Sequence, residues 1–555
     1  MSYSDERNTQ IVLALLKAYK IKRVVVSPGS GNIDLVISMQ NDPYFKLFSA
    51  VDERHAAYLA CGMASESDEP VVISCTGATA ARNYMPGMTE AYYRKLPILC
   101  ITSSRVSVCV GHGYGEMTDR SRPPRDTAKV SVQLPPVFSD YEAFGCELVA
   151  RTAMLELFGP NRGPVHINLQ RIYKNSFNTK TLPKVRTLKR IYPWESHWPK
   201  IDPNWKIAIV VGSGRKFSTR ESKSLERFIA RYNAVALIDQ ASVFVGKGAC
   251  CSSLICAQVG QEWRDGLEPD LVLHLGEISG DYPTCGFISG KAPVWRINAD
   301  GVARDRYATL TNIFAMPEIV FFDHYSELVA SQSGHGYLNL WRNRDLTLRK
   351  TRFRSLPFSS VWIANEMAGL MPKGSMLHLG ILNSLRAWNY QRKLNGVVVS
   401  CNVGGFGIDG CTSTAIGASL IRQDRLCFIV TGDLAFFYDL NSLGNRHIGN
   451  NLRVLIVNNG IGGTFKQYFH PGSRFGSITD EFVAGGGHFG RQSKDLVRHY
   501  ASDLGMKYVA ATSKEEFRSV IGEFLSESDQ SIVLECFVSI EDDTSAVKLI
   551  DGVIS

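Results

Sequence analysis

Short, unbroken apolar runs alternate with helical patterns along the first third of the chain. Three of these runs predict buried strands: residues 23–27, Val71–Cys75 and residues 97–102. Apolar and small side chains between Ala78 and Tyr93 predict a packed helix that links the last two strands. Because apolar strands joined by helical crossovers are typical of a parallel α/β sheet, we expect such a sheet here.

A stretch that contains prolines and tryptophans, residues 192–205, breaks this pattern and is predicted to be a linker. A second α/β series follows, with predicted strands at Ile207–Val211, residues 234–238, Leu271–Leu275 and Val294–Ile297. Gly212 and Gly214 after the first of these strands resemble a dinucleotide-binding loop only faintly, because Phe217 occupies the third glycine position. We favour close backbone packing at the strand end as the reason for these glycines.

The basic segment of residues 341–358 lacks strand periodicity and is predicted to be a solvated helix that leads into a third α/β series. That series starts near Ser359 and includes predicted strands at residues 426–431 and Leu452–Asn458. The chain is therefore predicted to have an α/β fold with three domains that each contain a parallel sheet. The predicted domains are residues 1–185, 186–350 and 351–555.

Composition narrows the classes of function that this chain can have. The 555 residues are 45% apolar and 21% charged, which suits about three globular domains and excludes a disordered chain or a coiled coil. The net charge of +8 is mild and no block of lysine and arginine stands out, so we expect an anionic small-molecule substrate and no nucleic-acid partner. No apolar stretch reaches the ~18 residues of a membrane span, and the thirteen cysteines form no CxxC pair. We therefore expect a cytoplasmic protein with no membrane partner, whose reduced thiols fill core spaces.

Polar motifs follow two predicted strands of the third series at their carboxyl ends. They are GDL at residues 432–434 and NNG at residues 458–460. Asp433 and Asn459 are 26 residues apart, which suits adjacent parallel strands with a helical crossover. At such an edge an acid and an amide can hold a small divalent cation, and Gly432 allows a diphosphate to approach the backbone. A helix-capping aspartate and an unrelated turn are the competing interpretation of either motif alone.

Together the two motifs resemble the thiamin diphosphate (ThDP) binding motif of the ThDP-dependent enzymes. That resemblance implies that Asp433, Asn459 and the main-chain carbonyl of Ile461 ligate Mg²⁺. It also implies that ThDP lies against Gly432 and Leu434.

A ThDP-dependent enzyme needs a carboxylate that shares a proton with the aminopyrimidine ring of the cofactor. Glu53 is the candidate, because it follows a predicted strand at residues 46–50 and opens a helix. The competing interpretation is that Asp52 and Glu53 only place favourable negative charge at a helix N-terminus. The ThDP motif elsewhere in the chain favours the catalytic role for Glu53.

Four segments are similar to one branch of this family: SPGS at residues 27–30, VDERHAA at 51–57, GIDG at 407–410 and GDLxFxxDLN at 432–441. This branch, SEPHCHC synthase of the menaquinone pathway, joins a succinyl unit from 2-oxoglutarate to isochorismate. The similarity covers nearly the whole chain and implies the domain order pyrimidine-binding, central and diphosphate-binding. It also implies that Ile408 forms an apolar wedge beneath the bent cofactor. Further implied cofactor contacts are Gly380, Asn383 and Phe465.

The departures from this branch lie where it binds substrate carboxylates. Gly31 and Val403 each stand in place of an arginine, and Trp388 stands in place of a third. Because an arginine fork recognises a carboxylate in a way that glycine or valine cannot, these losses argue against the menaquinone reaction. Candidate replacement cations are Arg386, Arg82, Arg105 and Arg120. The predicted substrate residues are Ser30, Gly31, Asn32, Arg386 and His470.

The segment GHGYGE at residues 111–116 also departs from the branch, which has a glutamine near Glu116. His112 is a candidate for proton transfer to or from the ThDP-bound carbanion, because histidine titrates near neutral pH. Glu116 is a candidate catalytic acid, and the competing interpretation is that both are exposed loop residues without a role. Residues expected to line the substrate side are Phe465, Tyr468 and His470.

The sequence therefore predicts a ThDP- and Mg²⁺-dependent decarboxylase or carboligase that acts on a 2-oxo acid or a related carbonyl compound. The resemblance implies a C2 ylide, an enamine, and active sites between the chains of a homodimer or homotetramer. Three alternatives remain open: SEPHCHC synthase itself, a decarboxylase of a bulkier sugar-derived acid for which Gly31 and Val403 widen the site, and a non-catalytic ThDP-binding subunit. Retention of Glu53 together with the metal-binding motif argues against the last.

Overall fold

The computed structural model describes residues 2–119, 121–329, 336–487 and 493–554. The chain divides into two compact units. The first consists of Met1–Ser196, Asp300–Asp305 and Leu310–Ala315. The second consists of His197–Ala299, Arg306–Thr309 and Met316–Ser555.

Strands and helices are numbered here in chain order. The β-strands are β1 Arg23–Val26, β2 Lys46–Ser49, β3 Val71–Cys75, β4 Ile98–Arg105, β5 Val130–Leu134, β6 Val165–Arg171, β7 Lys189–Ile191, β8 Ile207–Val211, β9 Val235–Ile238, β10 Ala249–Cys251, β11 Leu271–Leu275, β12 Val294–Ile297, β13 Leu310–Phe314, β14 Met376–Leu379, β15 Val398–Cys401, β16 Cys427–Gly432, β17 Leu452–Asn458, β18 Lys507–Ala511 and β19 Ile532–Phe537. The α-helices are α1 Arg7–Ala18, α2 Ile33–Gln40, α3 Glu53–Ser67, α4 Ala78–Asn83, α5 Met85–Tyr93, α6 Asp140–Met154, α7 Thr219–Tyr232, α8 Ser253–Cys256, α9 Tyr282–Ile288, α10 Glu318–Leu328, α11 Tyr337–Arg352, α12 Ser360–Ala368, α13 Asn383–Asn389, α14 Cys411–Ile421, α15 Asp433–Tyr438, α16 Leu496–Asp503, α17 Lys514–Phe524 and α18 Ile540–Asp551.

The first unit contains a six-stranded parallel sheet in the order β2-β1-β3-β4-β6-β5. β3 is buried throughout and β4 is buried except at Arg105, as expected of a parallel sheet that is covered on both faces. α6 begins with a capping box, in which Ser139 and Glu142 satisfy each other's main-chain N–H groups. β7 pairs in parallel with β13 in the same unit.

The second unit contains two sets of parallel strands. β10, β9, β8, β11 and β12 are neighbours in that order, and the other set has the order β15-β14-β16-β17-β19-β18. β16 pairs with β17 from Cys427 beside Leu452 to Gly432 beside Val457, so the carboxyl ends of both strands lie at one edge. The predicted three-sheet α/β fold is confirmed.

Most predicted elements are confirmed, with shifts at their ends. The predictions at Val71–Cys75, Ile207–Val211 and Leu452–Asn458 match the strand bounds. The helix predicted between Ala78 and Tyr93 is instead two helices, α4 and α5. α11 ends at Arg352 rather than at residue 358, because Pro357 cannot continue a helix.

The glycines after β8 serve close packing, as predicted. A Cβ atom on Gly212 would lie 2.4 Å from the main-chain oxygen of Glu277. The main-chain N–H group of Glu277 donates to the carbonyl of Ser213 at 2.8 Å. The loop after β11 therefore lies directly against the end of β8, and a glycine leaves the room that it needs.

Side chains from the two strand sets of the second unit interlock beside α13. The Nε2 group of buried Gln240, after β9, donates to the carbonyl oxygens of Trp388, Gln391 and Arg392 at 3.1–3.3 Å. The main-chain N–H group of Gln240 donates to Oδ1 of Asn389 at 2.9 Å. These contacts hold the last turn of α13 and the residues that follow it against the central strands.

The cysteines are all free thiols, and eleven of the thirteen are buried, as the core-filling interpretation predicts. Cys250 and Cys251 lie in β10. Among the helices of the described residues, none has the length and the apolar character needed to cross a membrane.

Candidate active site

A cavity of about 200 Å³ in the second unit contains residues from both polar motifs of the third α/β series. The parallel pairing of β16 with β17 brings these motifs to one edge of the sheet, as the sequence predicts. The lining residues are Ser360, Ile381, Leu382, Asn383, Ser384, Ile408, Gly432, Asp433, Leu434, Ala435, Val457, Asn459, Ile461, Gly462, Gly463, Thr464, Phe465 and Asp543.

Asp433 is the first residue of α15 and is only 7% exposed. Burial raises the pKa of the Asp433 carboxyl to about 7, and hydrogen bonds from the main-chain N–H groups of Leu434 and Gly460 act in the opposite direction. Within the described residues, this carboxyl forms no ion pair, and the negative charge of Glu535 also raises its pKa. A bound divalent cation would supply the missing positive charge, so the surroundings of Asp433 fit a metal ligand.

Hydrogen bonds hold the Asn459 side chain at both atoms of its amide. Nδ2 donates to Oδ2 of Asp543 at 3.5 Å, and Oδ1 accepts from the main-chain N–H group of Ile461 at 3.2 Å. Asp543 is buried, which raises the pKa of its carboxyl, and it accepts hydrogen bonds from N and Oγ of Ser360 at 2.7 and 2.5 Å. Asp543 thereby turns Oδ1 of Asn459, the kind of atom that ligates a hard cation, away from itself.

The Asn383 amide is oriented by two donors. Its Oδ1 accepts hydrogen bonds from Nη1 of Arg386 at 2.5 Å and from Oγ1 of Thr464 at 2.9 Å. Its Nδ2 group makes no hydrogen bond within the described ranges, so it is available to a ligand. The guanidinium group of Arg386 lies 4.8 Å from the ring centre of Phe469, and burial lowers its pKa. Arg386 thus reaches the cavity through Asn383 and is absent from the described lining residues.

Two glycines near the cavity differ in their surroundings. A Cβ atom on Gly432 would meet no described atom within 4 Å, so its main chain is open to a ligand such as a diphosphate. A Cβ atom on Gly380 would lie 3.1 Å from Oγ1 of Thr431. Gly380, a predicted cofactor contact, therefore lies where β14 packs closely against β16 and is outside the described lining.

Apolar residues form another part of the wall. Ile408 and Phe465, both predicted cofactor contacts, line the cavity. His470, a predicted substrate residue, packs edge-on against Phe465 with ring centroids 5.2 Å apart. Its Nδ1 accepts a hydrogen bond from the main-chain N–H group of Gly472 at 3.0 Å, which fixes the ring.

Behind this wall lies a buried carboxyl group at the end of α18. Tyr468 and Tyr390 donate hydrogen bonds to Oδ2 and Oδ1 of Asp551 at 2.9 and 3.0 Å. Burial raises the pKa of Asp551 to about 6. Tyr468 is therefore tied to α18 rather than directed at a substrate.

Glu53 is half-buried at the start of α3 in the first unit. Asp52 is the N-cap, and its Oδ1 accepts from the main-chain N–H groups of Arg54 and His55 at 2.8 and 3.3 Å. In the described part of the chain, Glu53 has no hydrogen bond or ion pair of its own. Because Asp52 performs the capping, the carboxylate of Glu53 is available for another role.

The loop after β1, also in the first unit, exposes Ser30 and buries Gly31 and Asn32. A Cβ atom on Gly31 would lie 2.2 Å from Oγ1 of Thr76. Asn32 is buried, and Nη1 of Arg171 donates to the carbonyl oxygens of Ser30 and Gly31 at 3.1 and 2.5 Å. The expectation that Gly31 widens the site is therefore wrong, because Thr76 fills the space beside it.

Val403 and Trp388, two of the positions that lack the arginines of the SEPHCHC synthase branch, are both buried. Trp388 also accepts the hydrogen bond from Gln240. Both side chains belong to the core of the second unit, so Val403 fills space there and does not support a widened site either.

The remaining candidates of the first unit lie on its surface. His112 and Glu116 are exposed, and Glu116 has a φ of +64°. Arg82 is exposed, and Arg105 stacks over a tyrosine ring at 5.1 Å. Arg120 lies outside the described residues. The catalytic and substrate-binding roles of this group stay predictions.

Four polar lining residues were not predicted: Ser360, Ser384, Thr464 and Asp543. Thr464 closely follows the NNG motif, and this position in the sequence could have marked it as a lining residue. Asp543 comes from the first turn of α18, where an acidic residue is ordinary, so no local pattern marked it.

Comparison with known proteins gives two family matches. Residues 7–121 match the N-terminal TPP binding domain of thiamine pyrophosphate enzymes, and residues 384–536 match the C-terminal TPP binding domain. The chain is 28% identical to 2-succinyl-5-enolpyruvyl-6-hydroxy-3-cyclohexene-1-carboxylate (SEPHCHC) synthase of Phocaeicola vulgatus, over 98% of each chain. It is 27% identical to the protein of that name from Bacteroides thetaiotaomicron, over 98% of each chain. It is 25% identical to that from Porphyromonas gingivalis, over 96% of this chain and 94% of the other.

Each matched segment carries one part of the predicted cofactor machinery. The N-terminal match contains Glu53, and the C-terminal match contains Asp433 and Asn459. The prediction of a ThDP-dependent enzyme, with SEPHCHC synthases as its relatives, is confirmed. Residues 7–121 and 384–536 are thus similar to the two TPP binding domains of thiamine pyrophosphate enzymes, and nearly the whole chain is similar to SEPHCHC synthases.

Proposed function

We propose that this enzyme decarboxylates a 2-oxo acid and then protonates the product or joins it to an acceptor. The observation that carries the proposal is one cavity, which is lined by residues of both polar motifs. Asn383, Ile408 and Phe465 line the same cavity. Bound ThDP supplies a nucleophilic carbon that adds to the substrate carbonyl and accepts the electron pair released with CO₂.

The residues of the chain bind, orient and transfer protons around that chemistry. The open main chain at Gly432 would bind the diphosphate, and Ile408 would support the cofactor while excluding water. Asn383 would donate from Nδ2 to a ligand oxygen, because Arg386 occupies its Oδ1. Glu53 would exchange a proton with a ring nitrogen of the pyrimidine.

The cavity also supports a Mg²⁺ site. A carboxylate from Asp433, an amide oxygen from Asn459 and a main-chain carbonyl from Ile461 are the oxygen ligands that Mg²⁺ prefers. We expect EDTA to weaken ThDP binding at least ~10-fold in the wild type, as measured by calorimetry. In Asp433→Asn, binding should already be weak and EDTA should change it little; an equal EDTA effect in both proteins would contradict the metal site.

A second copy of the chain, in a homodimer or homotetramer, would complete the site. The cavity of about 200 Å³ is smaller than the ~300–1,000 Å³ of usual ligand pockets. Beside the GDL motif, Tyr438 and Phe482 are exposed, with Phe482 at 88%, and next to Glu53 the side chain of Val51 is 79% exposed. Exposed apolar side chains of this size favour a covering partner.

Mixed oligomers test this arrangement. Glu53→Gln and Asp433→Asn chains, each inactive alone, are co-expressed with different tags and the mixed dimer is purified. If Glu53 of one chain serves Asp433 of the other, one of the two sites in the mixed dimer is intact, so about half of the wild-type activity returns. If each site is built from one chain, the mixed dimer stays inactive, which would overturn the proposal.

The reaction named for the relatives, formation of SEPHCHC, is the second candidate. Identity of 27–28% over 98% of both chains favours it. The core positions of Val403 and Trp388 and the packed Gly31 argue against it, since none offers a cation to a substrate carboxylate.

The deciding experiment is CO₂ release by the ThDP- and Mg²⁺-loaded enzyme across a panel of 2-oxo acids, each with and without isochorismate. Release from 2-oxoglutarate that rises with isochorismate would establish the second candidate. Release from another acid would establish a different donor. No release from any 2-oxo acid would contradict the proposed reaction.

A further inference from the structure

A cleft of about 690 Å³ lies in the second unit, outside the cavity that contains Asp433. It has contributions from the loop between β9 and β10, from α11 and from the loop after α13. Its volume is in the range of small-molecule sites. The basic segment that the sequence analysis predicted to be a solvated helix provides one of its walls, through Arg342, Asp345 and Leu346 of α11.

The cleft contains more positive than negative side chains. Its cations are Lys247, Arg342, Arg392 and Lys393, and its acids are Glu226 and Asp345. Both acids are already engaged. Glu226 accepts the main-chain N–H group of Lys247 at 2.8 Å. The buried Asp345 accepts from Nε of Arg349 at 2.9 Å and from two nitrogens of Arg392 at 3.0 Å, so it serves two arginines.

The remaining cations differ from Arg392, because none of them forms an ion pair among the described residues. Nζ of Lys393 donates to the main-chain oxygens of Asp239, Gln240 and Ser242 at 3.3, 2.5 and 3.3 Å, and burial lowers the pKa of this amine. These carbonyl oxygens satisfy its donors, while the Cys251 thiol and the buried Asp239 carboxyl act on its pKa in the opposite direction to burial. In the described chain, neither Lys247 nor Arg342 has an ion pair, and both are exposed at the cleft. A cleft with an excess of positive side chains raises the local concentration of small anions.

We propose that this cleft binds a small organic anion that carries two or more carboxylate or phosphate groups. Lys247 and Arg342 contact the anion directly, Lys393 contributes its charge from the floor, and Ile238 and Leu346 pack against its carbon skeleton. The competing interpretation is that α11 only exposes a basic face to solvent, and this would account for Arg342. It would not explain the partly enclosed Lys393 or the commitment of Asp345 to two arginines.

Calorimetry on the enzyme saturated with ThDP and Mg²⁺ tests the site, with citrate and pyrophosphate as probes at constant free Mg²⁺. We expect saturable binding of at least one probe, and the tighter one identifies the carboxylate or the phosphate chemistry. Arg342→Gln and Lys247→Gln should each weaken that binding about tenfold, as loss of a charge-assisted contact predicts. Arg342→Lys should retain most of it, because it keeps the charge.

Arg446→Gln is the matched control, since Arg446 is exposed and lies outside the cleft. It should bind the probe like the wild type. Thermal unfolding without the probe should be nearly unchanged in all variants. Within the described residues the side chains of Lys247 and Arg342 have no hydrogen bond or ion pair, and Arg446 has only a 3.5 Å contact with Nε2 of His447. No binding of either probe would overturn the proposal, and so would equal losses in Arg446→Gln and Arg342→Gln.

Discussion

The two acidic residues assigned to the cofactor have opposite surroundings. Asp433 is 7% exposed, and main-chain N–H groups around it favour the charged form of its carboxyl. Glu53 is half-buried, and among the described residues it has no partner, because Asp52 caps its helix. One carboxylate is fixed by the chain that carries it, whereas the other is left unsatisfied.

The difference suits the role that we propose for each group. A metal ligand has to be placed to within a fraction of an ångström, so a main-chain cradle at a strand end suits it. An acid that exchanges a proton with a bound ring needs its oxygens unoccupied, because a protein donor would compete with the ring. The four predictions below test this contrast, from the largest expected effect to the smallest.

Glu53→Gln should lower turnover by roughly 10²–10⁴, the usual contribution of a positioned proton-transfer group. ThDP affinity, measured by calorimetry, should stay within a few-fold of the wild type, because the carboxylate contributes to proton exchange rather than to the diphosphate site. Asp52→Asn is the neighbouring control. It keeps a capping side chain and should keep turnover. Wild-type turnover in Glu53→Gln would remove the unpaired acid from the mechanism.

Asp543→Asn should weaken Mg²⁺ binding by about 10–100-fold, because Asp543 orients the Asn459 amide. Activity should return at high Mg²⁺, which a folding defect would not show. Asp542→Asn changes the adjacent exposed residue of α18 and should leave the Mg²⁺ titration unchanged. Identical Mg²⁺ dependence in both variants would show that Asp543 does not support the metal site.

Gly432→Ala should weaken ThDP binding by about tenfold while leaving thermal stability nearly unchanged, because the new methyl group meets no described atom within 4 Å and occupies ligand space. Gly380→Ala should lower thermal stability and leave ThDP binding nearly unchanged, since its methyl group would lie 3.1 Å from Oγ1 of Thr431. ThDP titrations and unfolding scans on both proteins compare the two. Equal effects on affinity would mean that Gly380 also contacts the cofactor.

Asp551→Asn should change how stability depends on pH. Burial raises the pKa of Asp551 to about 6. The folded chain therefore holds this proton more tightly than the unfolded chain, and the stability it adds below about pH 4 is lost as pH rises to about 6. Asparagine does not titrate. Its amide oxygen accepts from one tyrosine, and its Nδ2 group can donate to the hydroxyl oxygen of the other. The Tm of the variant relative to the wild type should rise by about 2 °C from pH 4.5 to pH 7. A constant difference would contradict the raised pKa.

Local pattern was sufficient for the strands and for one part of the site. Buried parallel strands are near-continuous apolar runs, so β3, β8 and β17 were evident from the sequence. Asp433 and Asn459 were predictable together because adjacent parallel strands end at the same edge.

The sequence did not reveal which residues from distant segments contact each other in the fold. Asp543 reaches Asn459 from 84 positions away, and its helix start looks like any other. The absence of an arginine at position 31 suggested open space, but Thr76 from a different loop fills it. Such contacts depend on how elements pack, which side-chain periodicity does not record.

The Gln240 contacts bear on how such enzymes can be recombined. Residues 351–555 look like a separable module, yet the last turn of α13 is bonded to Gln240, more than a hundred residues upstream. A chimera that joins residues 351–555 to the N-terminal part of a related enzyme would need a side-chain amide equivalent to Gln240 in that N-terminal part. The segment with the central strands and the segment with the GDL motif are therefore expected to be inherited as a pair.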